Sequence, residues 1–201
     1  GQLPLRSVYD ALLASGLITP EQTKQYRGVL AKAYGDAGDT AKSLAAFRVY
    51  VDAYGGNAEQ YLALAADGIK TKDYPTGIAY AKKSVDAAKA AGTKPTDTAY
   101  LLQMRAYKET NDMASYYGEE EALVAEYPKE DYWKELIAYR TQDAPNYGGQ
   151  VRLDLFRAMQ AAGVTLTVNE KRTAIQEALK RGLPAEALAL LEPAIASGEL
   201  G

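Results

Sequence analysis

The sequence predicts an all-α protein of about eleven helices, and three observations carry that prediction. Apolar residues recur at helical spacing almost everywhere, and no stretch keeps the period of two that a half-buried strand needs. Chain breakers fall at short regular intervals and leave segments of about 12 to 18 residues, the ordinary length of a globular helix. Small residues abound: 36 of the 201 residues are alanine, well above the usual share, and alanine lets helices approach closely. The aromatic bulk is almost wholly tyrosine, with 16 Tyr against 2 Phe and 1 Trp. A Tyr ring fills space between small residues while its hydroxyl reaches a partner or water, which suits thin layers of helices.

Each segment is marked off by turn chemistry. The first ends at Gly16 to Pro20. Thr19-Pro20-Glu21-Gln22 opens the second, with Pro at the first helical position and Gln three residues after Thr completing a capping box. Gly35 to Asp39 closes the second, Gly55-Gly56-Asn57 the third and Asp73-Tyr74-Pro75 the fourth. Gly92 to Pro95, Asn111-Asp112 and Tyr127-Pro128 close the next three. The eighth ends at Asp143 to Asn146 and the ninth at Gly163 to Thr167, where Thr167-Val168-Asn169-Glu170 repeats the capping-box spacing. Gly182 to Pro184 ends the tenth, and the last runs to Gly198. Short helices joined by short turns make antiparallel neighbours.

Composition bounds the chemistry. With 47% apolar and 24% charged residues and a mean hydropathy of −0.31, the chain is of ordinary globular composition. A chain of this length buries roughly 70% of its unfolded surface and needs no disulfide or metal staple. Cys and His are both absent, which removes thiolate and imidazole ligands and every Ser-His or Cys-His relay. No cofactor and no metal is expected, and the chain is read as a non-enzyme. A net charge of −3 and a pI near 5.2 argue against binding to nucleic acid. No apolar run approaches the length of a membrane span. The missing cysteines and the opening Gly1-Gln2-Leu3-Pro4 fit a processed bacterial protein, periplasmic or otherwise exported, with a cytoplasmic address also permitted.

Internal repetition separates a bundle from a stacked array. Bulky anchors on alternate segments fall at Arg27 (beside Tyr26), Tyr61, Tyr100 and Trp133, at steps of 34, 39 and 33. Three residues on lie Leu30, Leu64, Gln103 and Leu136; seven on lie Tyr34, Gly68, Tyr107 and Arg140. Turns follow at Gly38-Asp39, Lys72-Asp73-Tyr74 and Asn111-Asp112-Met113. These residues resemble the tetratricopeptide repeat family, best at Tyr100, Met104, Tyr107, Asp112 and Pro128, and nearly as well at Leu30, Ala31, Tyr34, Asp39 and Phe47. Gly68 stands where a Tyr is usual, and the fourth unit loses the pattern at Arg140. The resemblance implies a right-handed superhelical solenoid of antiparallel helix pairs, with an N-terminal cap over 1–19, repeats over 20–145 and degenerate hairpins over 146–201. It also implies a protein–protein interaction module whose concave groove, lined by the first helix of each pair, holds a partner segment.

Applied to that groove, the register selects Lys32, Lys70, Leu101, Arg105, Lys108 and Lys134, together with Tyr139. Basic residues dominate its charged positions, which points to an acidic peptide or a terminal carboxylate as partner. Gly28, Gly35, Asp36, Leu62, Ala66, Ile69, Glu109, Ala138, Thr141 and Gln142 complete the same positions. By register Tyr34, Tyr61, Tyr100 and Tyr107 are core, whereas Tyr26, Tyr50, Tyr54, Tyr117, Tyr132, Tyr139 and Tyr147 are partly exposed. Glu119-Glu120-Glu121 and Glu130-Asp131 read as solvated helix starts, favoured there by the helix dipole. Gly55-Gly56-Asn57 and Tyr147-Gly148-Gly149-Gln150 read as turns, without a phosphate-loop continuation. Two other readings stay open: a helical pocket protein for a small or lipid-like ligand, and a homo-oligomeric scaffold associating through Leu183, Leu188, Leu190 and Leu191.

Overall fold

The computed structural model describes residues 5–142 and 148–199, and every described element is an α-helix. The expected turn at Asp143 to Asn146, Tyr147 and the opening Gly1 to Pro4 lie outside the described residues. The chain divides into two compact units, Gly1–Asn111 and Asp112–Gly201. Unit 1 holds α1 (Leu5–Ser15), α2 (Pro20–Asp36), α3 (Thr40–Tyr54), α4 (Ala58–Lys70), α5 (Tyr74–Ala90) and α6 (Asp97–Glu109). Unit 2 holds α7 (Met113–Glu126), α8 (Glu130–Gln142), α9 (Gly148–Ala161), α10 (Val168–Lys180) and α11 (Pro184–Ala196).

Two side-chain chemistries cap the starts of six helices. Thr or Asn caps α2, α4 and α10, whereas α6 and α11 begin without a side-chain cap bond. Thr19, Asn57 and Thr167 each accept a hydrogen bond from the N–H three residues on, and Gln22, Gln60 and Glu170 accept one from the cap's own N–H. Asp39, Asp73 and Asp112 cap α3, α5 and α7, their carboxylates accepting the N–H of Lys42, Thr76 and Ser115. Immediately before each of these aspartates stands a residue in the left-handed region, Gly38 (φ 77), Lys72 (φ 63) and Asn111 (φ 57). The chain reverses there within a single left-handed residue. Thr167→Ala removes one of the reciprocal caps and is expected to cost about 1 kcal/mol, read as a lower urea midpoint at unchanged slope.

Within unit 1, α2 packs on α3, α4 on both α5 and α6, and α5 on α6. Its core gathers Val51, Leu64, Ala65, Tyr80 and Ala81, with Leu44, Phe47 and Tyr61 partly buried against them. Small residues set the spacing of the pairs. The Ser43 hydroxyl donates to the Ala31 carbonyl of α2 at 2.8 Å, and the Ser84 hydroxyl to the Ala58 carbonyl of α4 at 2.7 Å. Within unit 2, α8 lies between α7 and α9, and α10 packs on α9 and α11. Its core draws Val124 from α7, Trp133, Leu136 and Ile137 from α8, Leu153, Phe156 and Met159 from α9, and Ala174 and Ile175 from α10.

The register three residues after each anchor holds throughout, since Leu30, Leu64, Gln103 and Leu136 are all buried. Three expectations require correction. Tyr34 and Tyr61 are half-buried rather than core, because the Tyr34 hydroxyl reaches out to Asp10 at 2.8 Å and that of Tyr61 accepts the Gly56 N–H at 3.0 Å. Tyr117, expected to be exposed in part, is buried, its ring covered by the Arg140 guanidinium 4.9 Å away. Glu120 does not sit in a solvated helix start: it lies in the middle of α7, 1% exposed.

Candidate functional site

Register positions on α8 and α10 meet in an open cleft of about 280 Å³. Lys134, Ile137, Ala138 and Thr141 form one wall, Asn169, Glu170 and Thr173 the other, and Arg152 and Phe156 of α9 the floor. The walls are held from behind, because Ile137 and Phe156 belong to the unit 2 core. Most polar groups of the cleft already have partners. The Lys134 ammonium pairs with Glu130, and that hydrogen bond holds its pKa above the usual lysine range. Glu170 accepts the Thr167 N–H at 2.7 Å and hydroxyl at 2.8 Å within the cap of α10. The Thr141 and Thr173 hydroxyls donate to the Ile137 and Asn169 carbonyls of the preceding turn. Arg152 is half-buried and forms no ion pair or hydrogen bond with another described residue. The cleft therefore joins the Phe156 ring to a guanidinium whose donors make no hydrogen bond to another described residue.

Tyr139, two turns from the start of α8, lies away from this cleft. It is half-buried and meets the Tyr116 ring of α7 edge-on, with centroids 5.6 Å apart. The other five candidates belong to unit 1. Lys32 is exposed and, with Lys24, Gln25, Gly28, Val29 and Tyr50, lines an open depression of about 510 Å³ on α2 and α3. Lys70 is exposed in the last turn of α4. Leu101, Arg105 and Lys108 share one face of α6 by their spacing, and all three are exposed. Beside them the Tyr74 hydroxyl donates to Glu109 at 3.3 Å, and desolvation and the Glu109 charge raise its pKa while Arg105 lowers it. Ile69, expected on the same face, is 3% exposed, because its side chain packs where α4 meets Gly77 of α5.

A second polar cluster sits between α3 and α5. Arg48 donates to the Thr76 hydroxyl at 2.8 Å, pairs with Asp73 at 3.6 Å and lies 5.6 Å from the Tyr80 ring centre. The Tyr80 hydroxyl donates to Asp52 at 2.6 Å, and Lys83 approaches the same carboxylate at 3.8 Å. Burial, then the bond to Asp52, raises the Tyr80 pKa. Each charge here is matched, and the cavity beside the cluster holds only about 120 Å³, well below the roughly 300 Å³ at which small-molecule pockets begin. Its role is to tie α3 to α5. Among the described residues no three acidic side chains gather as a metal ion would require.

Lys134, Ala138 and Thr141, read by register as groove positions, line this cleft, whereas Arg152, Phe156, Asn169 and Thr173 were not among the positions selected. A signal for the last two was present, since Asn169 lies one repeat length after Lys134 and Thr173 one after Ala138. Leu190 and Leu191 of α11 pack against the unit 2 core, whereas Leu188 and Leu183, the residue before the helix, are exposed.

Short α-helices joined by tight turns, three of them opening on an aspartate cap, make up the described residues as an all-α helical array. No family model matches the chain, and no curated protein matches it. Three solved structures are similar to it. MamA shares 13% identity at a TM-score of 0.42, over 96% of this chain and 86% of its own. A tetratricopeptide repeat protein from Parabacteroides merdae shares 13% at 0.38, over 95% and 70%. PilW, a type IV pilus biogenesis factor, shares 14% at 0.41, over 98% and 87%. Among the described residues no helix is long and apolar enough to cross a membrane.

Proposed function

We propose that the protein is a non-catalytic interaction scaffold that holds an extended acidic segment of a partner protein in the cleft between α8 and α10. The observation that carries this reading is Arg152: a guanidinium with no protein partner among the described residues, at the floor of a cleft floored also by Phe156 and walled by Ile137. An acidic side chain or terminal carboxylate satisfies the guanidinium bidentately, and an adjacent apolar side chain covers the ring. Lys134, turned toward Glu130, is available to exchange that partner for the ligand's second carboxylate. The exposed positions Lys32, Lys70, Arg105 and Lys108 extend the reading to unit 1 as charges that steer an acidic partner toward the protein, with Leu101 an apolar docking position among them.

The test is a peptide array, scored with the full chain at two salt concentrations. Wild type is expected to select segments that carry an acidic residue beside an apolar one, with binding that weakens as salt rises. Arg152→Glu is expected to lower affinity by about tenfold or more, corresponding to about 1.4 kcal/mol per decade, through loss of the charged hydrogen bond and added repulsion. The Arg105→Glu, Lys108→Glu double variant tests the α6 face in the same assay and is expected to flatten the salt dependence. Selection unaltered by Arg152→Glu removes the cleft from the reading.

A further inference from the structure

The α7–α8 contact contains a carboxyl group that the scaffold does not use. Glu120 is 1% exposed, and neither of its carboxyl oxygens accepts a hydrogen bond among the described residues. It occupies the buried stripe of α7 formed by Tyr116, Tyr117, Leu123 and Val124, one turn beyond Tyr116. The groups able to compensate its charge are engaged elsewhere. On its own helix, the Tyr116 hydroxyl donates to Glu135 of α8 at 3.1 Å, and Glu121 pairs with Arg140 of α8. From α8, the element of unit 2 packed against α7, Glu135 faces it as a like charge, Tyr139 closes on Tyr116, and Arg140 is held between Glu121 and the Tyr117 ring. Among the described residues, a carboxylate in this place would be buried without a donor, close to a second carboxylate, and Arg140, the cation that acts on it, is already paired. Burying a lone charge is far more costly than burying a neutral acid.

We propose that the α7–α8 contact of unit 2 is a proton-dependent latch, closed with the Glu120 carboxyl neutral and loosened when that carboxyl ionises. The loosened form admits water or draws Arg140 from Glu121 toward Glu120. Burial first, then the Glu135 charge, pushes the Glu120 pKa up to about 7, with Arg140 opposing. In the unfolded chain the same group titrates at its ordinary value near 4.5. The native state therefore holds the extra proton between those values. Stability is greatest below the lower one, falls as pH rises through the window and levels off above about 7. The chain has no histidine, the residue that ordinarily dominates titration in this range.

Two measurements on the full chain test the latch. Infrared titration is expected to show a protonated carboxyl band that persists at pH 6, disappears with a midpoint near 7 and is missing from Glu120→Gln. Urea unfolding is expected to show an unfolding constant that rises up to about tenfold per pH unit between pH 5 and 7 in wild type, one proton's worth, and stays nearly level in Glu120→Gln. Glu135→Gln keeps an acceptor for Tyr116 while removing the like charge, and is expected to move the infrared midpoint down; this variant decides the matter should Glu120→Gln not fold. Absence of a protonated band above pH 6 in wild type, or an equal pH slope in wild type and Glu120→Gln, overturns the proposal.

Discussion

Gly68→Ala is expected to destabilise the protein by about 2 kcal/mol, although alanine is the better helix former. A Cβ built on Gly68 lies 2.7 Å from the Gly77 nitrogen, 2.8 Å from its Cα and 3.1 Å from the Asp73 carbonyl oxygen. All three are backbone atoms at the start of α5, so no side-chain rotation relieves the clash and α4 and α5 must move apart. Overpacking of a well-filled contact costs about 1–3 kcal/mol; the gain in helix propensity, at most about 1 kcal/mol, offsets part of it. Separating the pair also disturbs the Asp73 cap and the Arg48 contacts with Asp73 and Thr76, which begin in the same turn. Gly118→Ala is the matched control. It lies in α7 with no atom within 4 Å of its added Cβ, so propensity acts alone and a gain of up to about 1 kcal/mol is expected. Urea midpoints at constant slope measure both, and a Gly68→Ala protein as stable as wild type would show that α4 and α5 separate at no cost.

Gly68 also explains one departure from the repeat pattern. Where the register calls for a tyrosine the chain has a glycine, which in the sequence alone reads as degeneration. In the structure it is a close backbone approach of α4 to α5, with Gly77 opposite, a place where even a Cβ meets backbone atoms. Turns and caps were legible because each is encoded within four or five residues: Asp39, Asp73 and Asp112 all follow a left-handed residue and open a helix. Burial was legible where it depends on one register position, as at Leu30 and Leu136, and less so for tyrosines. A Tyr hydroxyl can draw the ring toward the surface, as the Asp10 bond does for Tyr34.

Glu120 was hidden by its neighbours. Read as the middle of Glu119-Glu120-Glu121 it belongs to an acidic surface run, but its spacing from Tyr116, Leu123 and Val124 puts it on the apolar stripe of α7. Periodicity outweighs local composition at such a position. The candidate cleft was half legible for a different reason. Lys134, Ala138 and Thr141 follow from the anchor at Trp133, whereas Arg152 and Phe156 come from a second helix of the pair, which groove reasoning does not sample. Asn169 and Thr173 lie past the point where Arg140 ended the visible repeat.

Leu136→Ala is expected to cost about 3 kcal/mol, the larger of the two effects. Leu136 is 1% exposed in the core that α8 shares with Val124, Phe156 and Ile175. Truncating a buried leucine to alanine loses its transfer free energy and leaves a cavity, and measured costs run from about 2 to 5 kcal/mol. The middle of that range applies because the surrounding side chains come from several helices, which cannot all close on one gap. Leu179 on α10 is 56% exposed, and Leu179→Ala is expected to change stability by less than about 0.5 kcal/mol. The contrast separates core packing from helix propensity, since both substitutions place the same residue inside a helix. Leu136 sits between Lys134 and Ile137, so the variant also loosens the α8 wall of the cleft. If the cleft binds as proposed, Leu136→Ala weakens the selected peptide while Leu179→Ala leaves it bound. Equal urea midpoints for the two variants would mean that burial in this thin helical layer contributes little to its stability.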